Sequence, residues 1–73
     1  MAGVSISAKS LEEGYLFTLE AGSSPIRRDA HNAVIYLRNI QNHEGLAESD
    51  IHFDSSVPPE YRAYFLKKLG FSK

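Results

Sequence analysis

Asp50-Ile51-His52-Phe53-Asp54 places two carboxylates and an imidazole at alternate positions. In an extended segment those three side chains project from one face, about 6.5–7 Å apart. Such a set is adequate for a hard or borderline metal ion, or for moving a proton. The same alternation also describes the wet side of a short strand whose Ile51 and Phe53 are buried, and carboxylates on an edge strand discourage aggregation. No spacing brings His31 or His43 to the set. The solvated strand is therefore the preferred reading, and no metal or cofactor is assigned. A metal-dependent activity at Asp50, His52 and Asp54 ranks third among the functions considered.

The stronger candidates are basic. On a helical wheel Arg27, His31 and Arg38 fall within an arc of about 40°, with Arg28 further round beside Asn32 and Asn39. Guanidinium groups recognise carboxylates and phosphates through paired hydrogen bonds. Ile35 falls among these polar residues, opposite the apolar stripe. An aliphatic anchor with an arginine rim resembles a small protein-binding patch. Arg27, Arg28, His31, Ile35 and Arg38 are thus the expected partner-binding residues. Ordinary solvation explains each of them singly; their clustering around an apolar side chain is what singles them out.

Several catalytic signatures are missing. The five glycines are scattered, so no phosphate-cradling loop precedes a lysine. The chain has no cysteine nucleophile and no Gly-x-Ser-x-Gly elbow. A chain of 73 residues seldom builds a water-excluding pocket alone. An enzyme is not expected, nor a small-molecule substrate. Ser5, Ser7, Lys9, Leu16, Thr18 and Glu20 form a face too polar for a second packed layer and too plain for a binding groove; solvent is its expected neighbour. Tyr61, Tyr64 and Phe65 have the spacing of core aromatics, although with Arg62, Lys67 and Lys68 nearby they could stack on bases.

Eight basic and nine acidic side chains leave a net charge of −1, without the basic surplus of a general nucleic-acid binder. No apolar run reaches the roughly 20 residues that cross a bilayer. Met1-Ala2-Gly3-Val4 lacks the pattern of a secretory signal, and Ala2 stands where myristoylation needs glycine. The expectation is a cytoplasmic protein with no membrane role. The absence of cysteine excludes disulfide staples, so the thin core of so short a chain must rest on packing or self-association.

The elements that would position these residues follow from a change of period. Val4, Ile6 and Ala8 alternate with Ser5, Ser7 and Lys9, predicting a strand over about 3–10. Tyr15, Phe17, Leu19 and Ala21 predict a second over about 15–21, with Gly14 closing the hairpin. From Ile26 the apolar residues recur every three or four: Ala30, Ala33, Val34, Leu37, Ile40. Ser23 or Ser24 can cap a helix, and Pro25 suits its first position, so a helix is expected from Pro25 to about Gln41. The stretch 42–49 reads as a loose loop stopped by Gly45, and 50–54 as a third strand. Ser55 or Ser56 can cap a second helix over about 58–69, ended by Gly70 with Phe71 folding back.

The sum is a single α+β domain over 1–73 with two layers: a small, mainly antiparallel three-stranded sheet carrying two helices on one face, in the order β-β-α-β-α. Its expected core comprises Val4, Ile6, Phe17, Leu19, Ile26, Ala30, Ala33, Leu37, Ile40, Phe53, Phe65 and Leu69. The leading functional expectation is a small non-enzymatic interaction or regulatory protein. It would bind a protein partner, or a second copy of itself as a homodimer, through the outer face of the first helix and the 42–49 loop. The alternative is an accessory nucleic-acid-binding protein using the same arginines with Lys67 and Lys68, separable by a steep salt dependence.

Overall fold

The computed structural model describes residues 3–22 and 24–71. Met1 and Ala2, read above for processing signals, and Ser23, read above as a cap, lie outside them, as do Ser72 and Lys73.

The two alternating segments pair as an antiparallel hairpin, β1 (Val4–Leu11) with β2 (Gly14–Glu20). The Glu12-Glu13 connection contains no residue of positive φ; the unusual backbone falls on Gly14, at φ 137°, which no side chain obstructs. Alternation then sorts the hairpin into two faces. Val4, Ile6, Phe17 and Leu19 are buried on one, while Ser5, Thr18 and Glu20 stay exposed or half-exposed on the other.

The expected switch to helix at Pro25 does not occur there. Ile26–Arg28 is a third strand, β3, antiparallel to β2, with Leu19 opposite Ile26, Thr18 opposite Arg27 and Phe17 opposite Arg28. A helix from Pro25 would have left the outer edge of β2 without backbone partners over these three residues. Three residues of strand supply them, and unpaired strand edges are costly. The first helix, α1 (Ala30–Glu44), starts five residues later than expected. Its N-cap is Asp29, whose Oδ1 accepts hydrogen bonds from the Asn32 backbone N–H at 2.8 Å and from Asn32 Nδ2 at 2.9 Å. Ser24 therefore does not cap this helix, and Pro25 does not open it.

α1 buries Ala33, Val34 and Leu37 and stops at Gly45, φ 74°. The stretch expected to be a loose loop is more ordered than that. Asn42–Glu44 belong to α1, Leu46 is buried in the core, and Glu48–Asp50 form one 3₁₀ turn. The chain then enters β4 (Ile51–Phe53), which lies parallel to β1. α1 is thus the return path between the two sheet edges. The strand order is β3-β2-β1-β4: four strands, two pairings antiparallel and one parallel.

α2 (Pro59–Lys68) closes the second layer. Its cap is Pro58 and makes no side-chain bond, so neither Ser55 nor Ser56 caps it. Its end matches expectation: Gly70, φ 87°, and Phe71 donate to the carbonyls of Lys67 and Leu66, the reciprocal pair of a Schellman motif. Phe65 is fully buried with its ring centroid 5.0 Å from that of Phe17, edge to face at 85°. Tyr61 adds contacts to Phe17 at 5.1 Å and to Tyr15 at 5.3 Å. Such pairs add about 0.5–1.5 kcal/mol beyond the area they bury. Gln41 Nε2 donates to the Leu69 carbonyl at 2.9 Å and ties α1 to the end of α2. Ile51 and Val57 join the buried core, while Ile26, Ala30, Ile40 and Phe53 pack around it half-buried. The molecule is a two-layer α+β domain, and no helix among the described residues is long and apolar enough to cross a membrane.

Candidate functional site

The strand at 26–28 divides the expected basic cluster. Neighbouring residues of a strand point to opposite faces. Arg28 pairs with Phe17 and lies on the helix-bearing side of the sheet; Arg27 pairs with Thr18 and lies on the open side. Arg27 therefore shares no face with His31 and Arg38. Arg28 is exposed, and its guanidinium donates to the Arg27 carbonyl at 2.7 Å.

His31, Ile35 and Arg38 remain together on α1. All three are exposed, and the helical repeat sets His31 and Asn32 one turn before Ile35, and Arg38 and Asn39 one turn after. Ile35 keeps 46% of its surface exposed, one of two exposed large apolar residues among the described residues. The other is Leu11, 48% exposed at the end of β1. Lys67 and Lys68 lie in the last turn of α2, where the helix dipole favours cations, and Lys68 Nζ sits 5.8 Å from the Tyr64 ring centre. The cations are thus distributed over the open sheet face, α1 and the end of α2. Phe65 is buried in the core, and Tyr61 packs half-buried against it.

Asp50, His52 and Asp54 are not a ligand set. Asp50 ends the 3₁₀ turn, and its Oδ2 accepts from the Ala47 N–H at 3.0 Å. Asp54 Oδ2 accepts from both the N–H and the hydroxyl of Ser56, at 3.0 and 2.7 Å. These bonds, the hydroxyl's first, hold the Asp54 carboxyl below its ordinary value of 3.8. The Ser56 hydroxyl in turn accepts from the Ala8 N–H at 3.0 Å, covering the outer edge of β1 just where β4 has ended. Among the described residues no three acidic, histidine or cysteine side chains gather where they could hold a metal ion.

The face expected to be plain carries a groove. A hollow of about 410 Å³, open to solvent, is bordered by Ser5, Ser7 and Thr18 along its floor and by Glu20, His52 and Asp54 at its sides. Registration explains its shape. Ser5 lies between Glu20 and His52, and Ser7 lies opposite Thr18, so three short side chains line the middle of the sheet with longer ones around them. The alternation of β1 and β2 had marked these residues as one face. What the spacing alone could not supply was the parallel placement of β4, which brings His52 and Asp54 alongside them. Comparison with protein-family models, with curated protein sequences and with solved structures finds no match to this chain.

Proposed function

We propose that this chain is a small non-enzymatic interaction module that captures an acidic surface of a protein partner through the outward side of α1. The observation that carries this reading is Ile35, 46% exposed at the centre of a helix face flanked by His31 and Arg38. An apolar centre with a polar and cationic rim is the anatomy of an interaction patch. Arg28 lies on the helix-bearing side of the sheet with this patch, whereas Arg27 lies on the opposite side.

The test begins with affinity isolation from the native cells, followed by calorimetry with the identified partner as a soluble one-site ligand. Ile35→Asp and Arg38→Glu should each weaken capture by about 30-fold or more, the effect of losing an interface hot spot. Both positions are exposed, so melting temperature should hold. Arg27→Glu, on the other side of the sheet, should leave affinity within about twofold. Capture that survives both α1 substitutions would remove this function.

A further inference from the structure

The open side of the sheet has a charge pattern that complements itself, and we infer that it packs against the same face of a second copy of this chain. Besides the pair Lys9 and Leu16 toward the hairpin end, two rows of side chains cross the strands. One runs Glu20, Ser5, His52 across β2, β1 and β4. The next runs Arg27, Thr18, Ser7 across β3, β2 and β1, and Asp54, one residue past β4, continues it. The Asp54 N–H donates to the Ile6 carbonyl at 2.8 Å, which carries the parallel register that far. The second row thus has a guanidinium at one end, a carboxylate at the other and only hydroxyl side chains between.

Consider a two-fold axis lying in the interface, parallel to the strands and between β1 and β2. It sets β3 of one copy over β4 of the other, and β2 over β1. Arg27 then meets Asp54 of the second copy, and Asp54 meets the second Arg27, so the contact forms twice. Oxygen Oδ1 of Asp54 is the one left for it, since Oδ2 holds Ser56. Glu20 comes to lie over Ser5 of the second copy and one strand from its His52. The long side chain of each rim therefore enters the hollow floored by the short ones opposite. Large against small and cation against anion arise from one operation, with no adjustment of the register.

The size of the face sets the strength. Strands of eight, seven, three and three residues, each residue covering about 3.3 by 4.8 Å, outline roughly 330 Å² per copy, hence roughly 700 Å² in all. That lies well below the range of about 1,200–2,000 Å² for stable specific interfaces, so the association is weak. The dimer is concentration-dependent, and its exposed charge pairs weaken with salt.

Sedimentation equilibrium over a wide concentration range tests this. The wild type should rise from 8.1 kDa toward twice that mass, and added salt should reverse the rise. Arg27→Glu sets two carboxylates against each other at both contacts, and Asp54→Arg sets two guanidinium groups there; each variant alone should stay monomeric. An equimolar mixture of the two should associate again, because both contacts then pair opposite charges. Thr18→Glu, which leaves the Asp54–Ser56 turn untouched, should also give a monomer, and it decides the matter should Asp54→Arg fail to fold. Ile35→Asp, on the other side of the molecule, should not change the mass. A wild type that remains at 8.1 kDa at its highest soluble concentration overturns the inference, as does a dimer indifferent to Arg27→Glu and Thr18→Glu. A dimer dissolved by Ile35→Asp overturns it too, by placing self-contact on α1.

Discussion

Replacing Asp29 by alanine removes the acceptor that holds two N–H groups of Asn32. An exposed N-cap change of this kind costs about 1 kcal/mol, from a range of about 0.5–2. Unfolding entropy near 2.1 cal/mol/K per residue gives about 0.15 kcal/mol/K for 73 residues, so Asp29→Ala should lower the melting temperature by about 6–7 °C. Asp29→Asn keeps the acceptor and loses only the favourable meeting of a negative charge with the helix dipole, so its drop should be about half as large. Ser24→Ala and Pro25→Ala remove nothing from α1 and should stay within about 0.5 kcal/mol of wild type. Thermal unfolding followed by far-ultraviolet circular dichroism measures all four. Hydrogen exchange supplies an independent check. The pairing of Phe17 with Arg28 and Leu19 with Ile26 aims the amides of Ile26 and Arg28 at β2 and that of Arg27 away from it. Ile26 and Arg28 should therefore exchange slowly and Arg27 fast. A helix starting at Pro25 leaves all three fast, because the first four N–H groups of a helix have no partner within it. Uniformly fast exchange at 26–28, with Asp29→Ala silent and Pro25→Ala damaging, would refute the strand and restore Arg27 to the α1 stripe.

Two further perturbations probe the core and the edge of the sheet. Phe65→Ala should cost about 3–5 kcal/mol in urea denaturation, a large share of the roughly 4–11 kcal/mol expected for 73 residues, because Phe65 is fully buried against Phe17 and Phe53; a loss under about 1.5 kcal/mol would contradict that packing. Ser56→Ala removes the main cause of the lowered Asp54 carboxyl value. A carboxyl depressed in the folded state contributes stability that is present above its ordinary value of 3.8 and lost as pH falls through the depressed value. The variant should therefore titrate Asp54 closer to 3.8 by nuclear magnetic resonance, lose less stability on acidification in that window, and exchange the Ala8 amide faster; an unmoved titration would show that Ser56 does not hold this carboxylate.

The hairpin was legible because both strands alternate over seven or eight residues and Gly14 supplies the one unusual backbone position. The apolar stripe from Ala33 to Ile40 and the glycine stops at Gly45 and Gly70 were legible for the same local reason. Ile26-Arg27-Arg28 was not. Three residues are too few to display a period, and a helical spacing from Ile26 to Ala30 fits them as well as an extended one. What decides their conformation is the bare edge of β2, which is not local. Asp29 also meets the N-cap preference, but Ser-Pro upstream carried the same signal with a better residue for the first helical position. Leu46 and Val57 escaped notice because a single apolar residue within a loop has no period, although both are buried. The site followed the strand: one helical stripe became two surfaces, and His52 and Asp54, set aside as a solvated edge, came to border a groove through their place beside β1.

That division determines what the two surfaces can do together. Both helices cover one face of a single sheet, so the α1 side and the groove side of the molecule point in opposite directions. Occupying one leaves the other free. In the dimer inferred above the groove faces are buried against each other, and the two copies of Ile35 look outward on opposite flanks. A partner that offers repeated acidic sites could then engage both copies, and linked sites of this kind gain avidity without any new contact. Had Arg27 remained on the helix, capture and self-association would have competed for the same guanidinium groups. Because Arg27 and Arg28 are neighbours in a strand, each side of the sheet carries one of the two guanidinium groups, and the proposed capture and the inferred self-contact call on different ones.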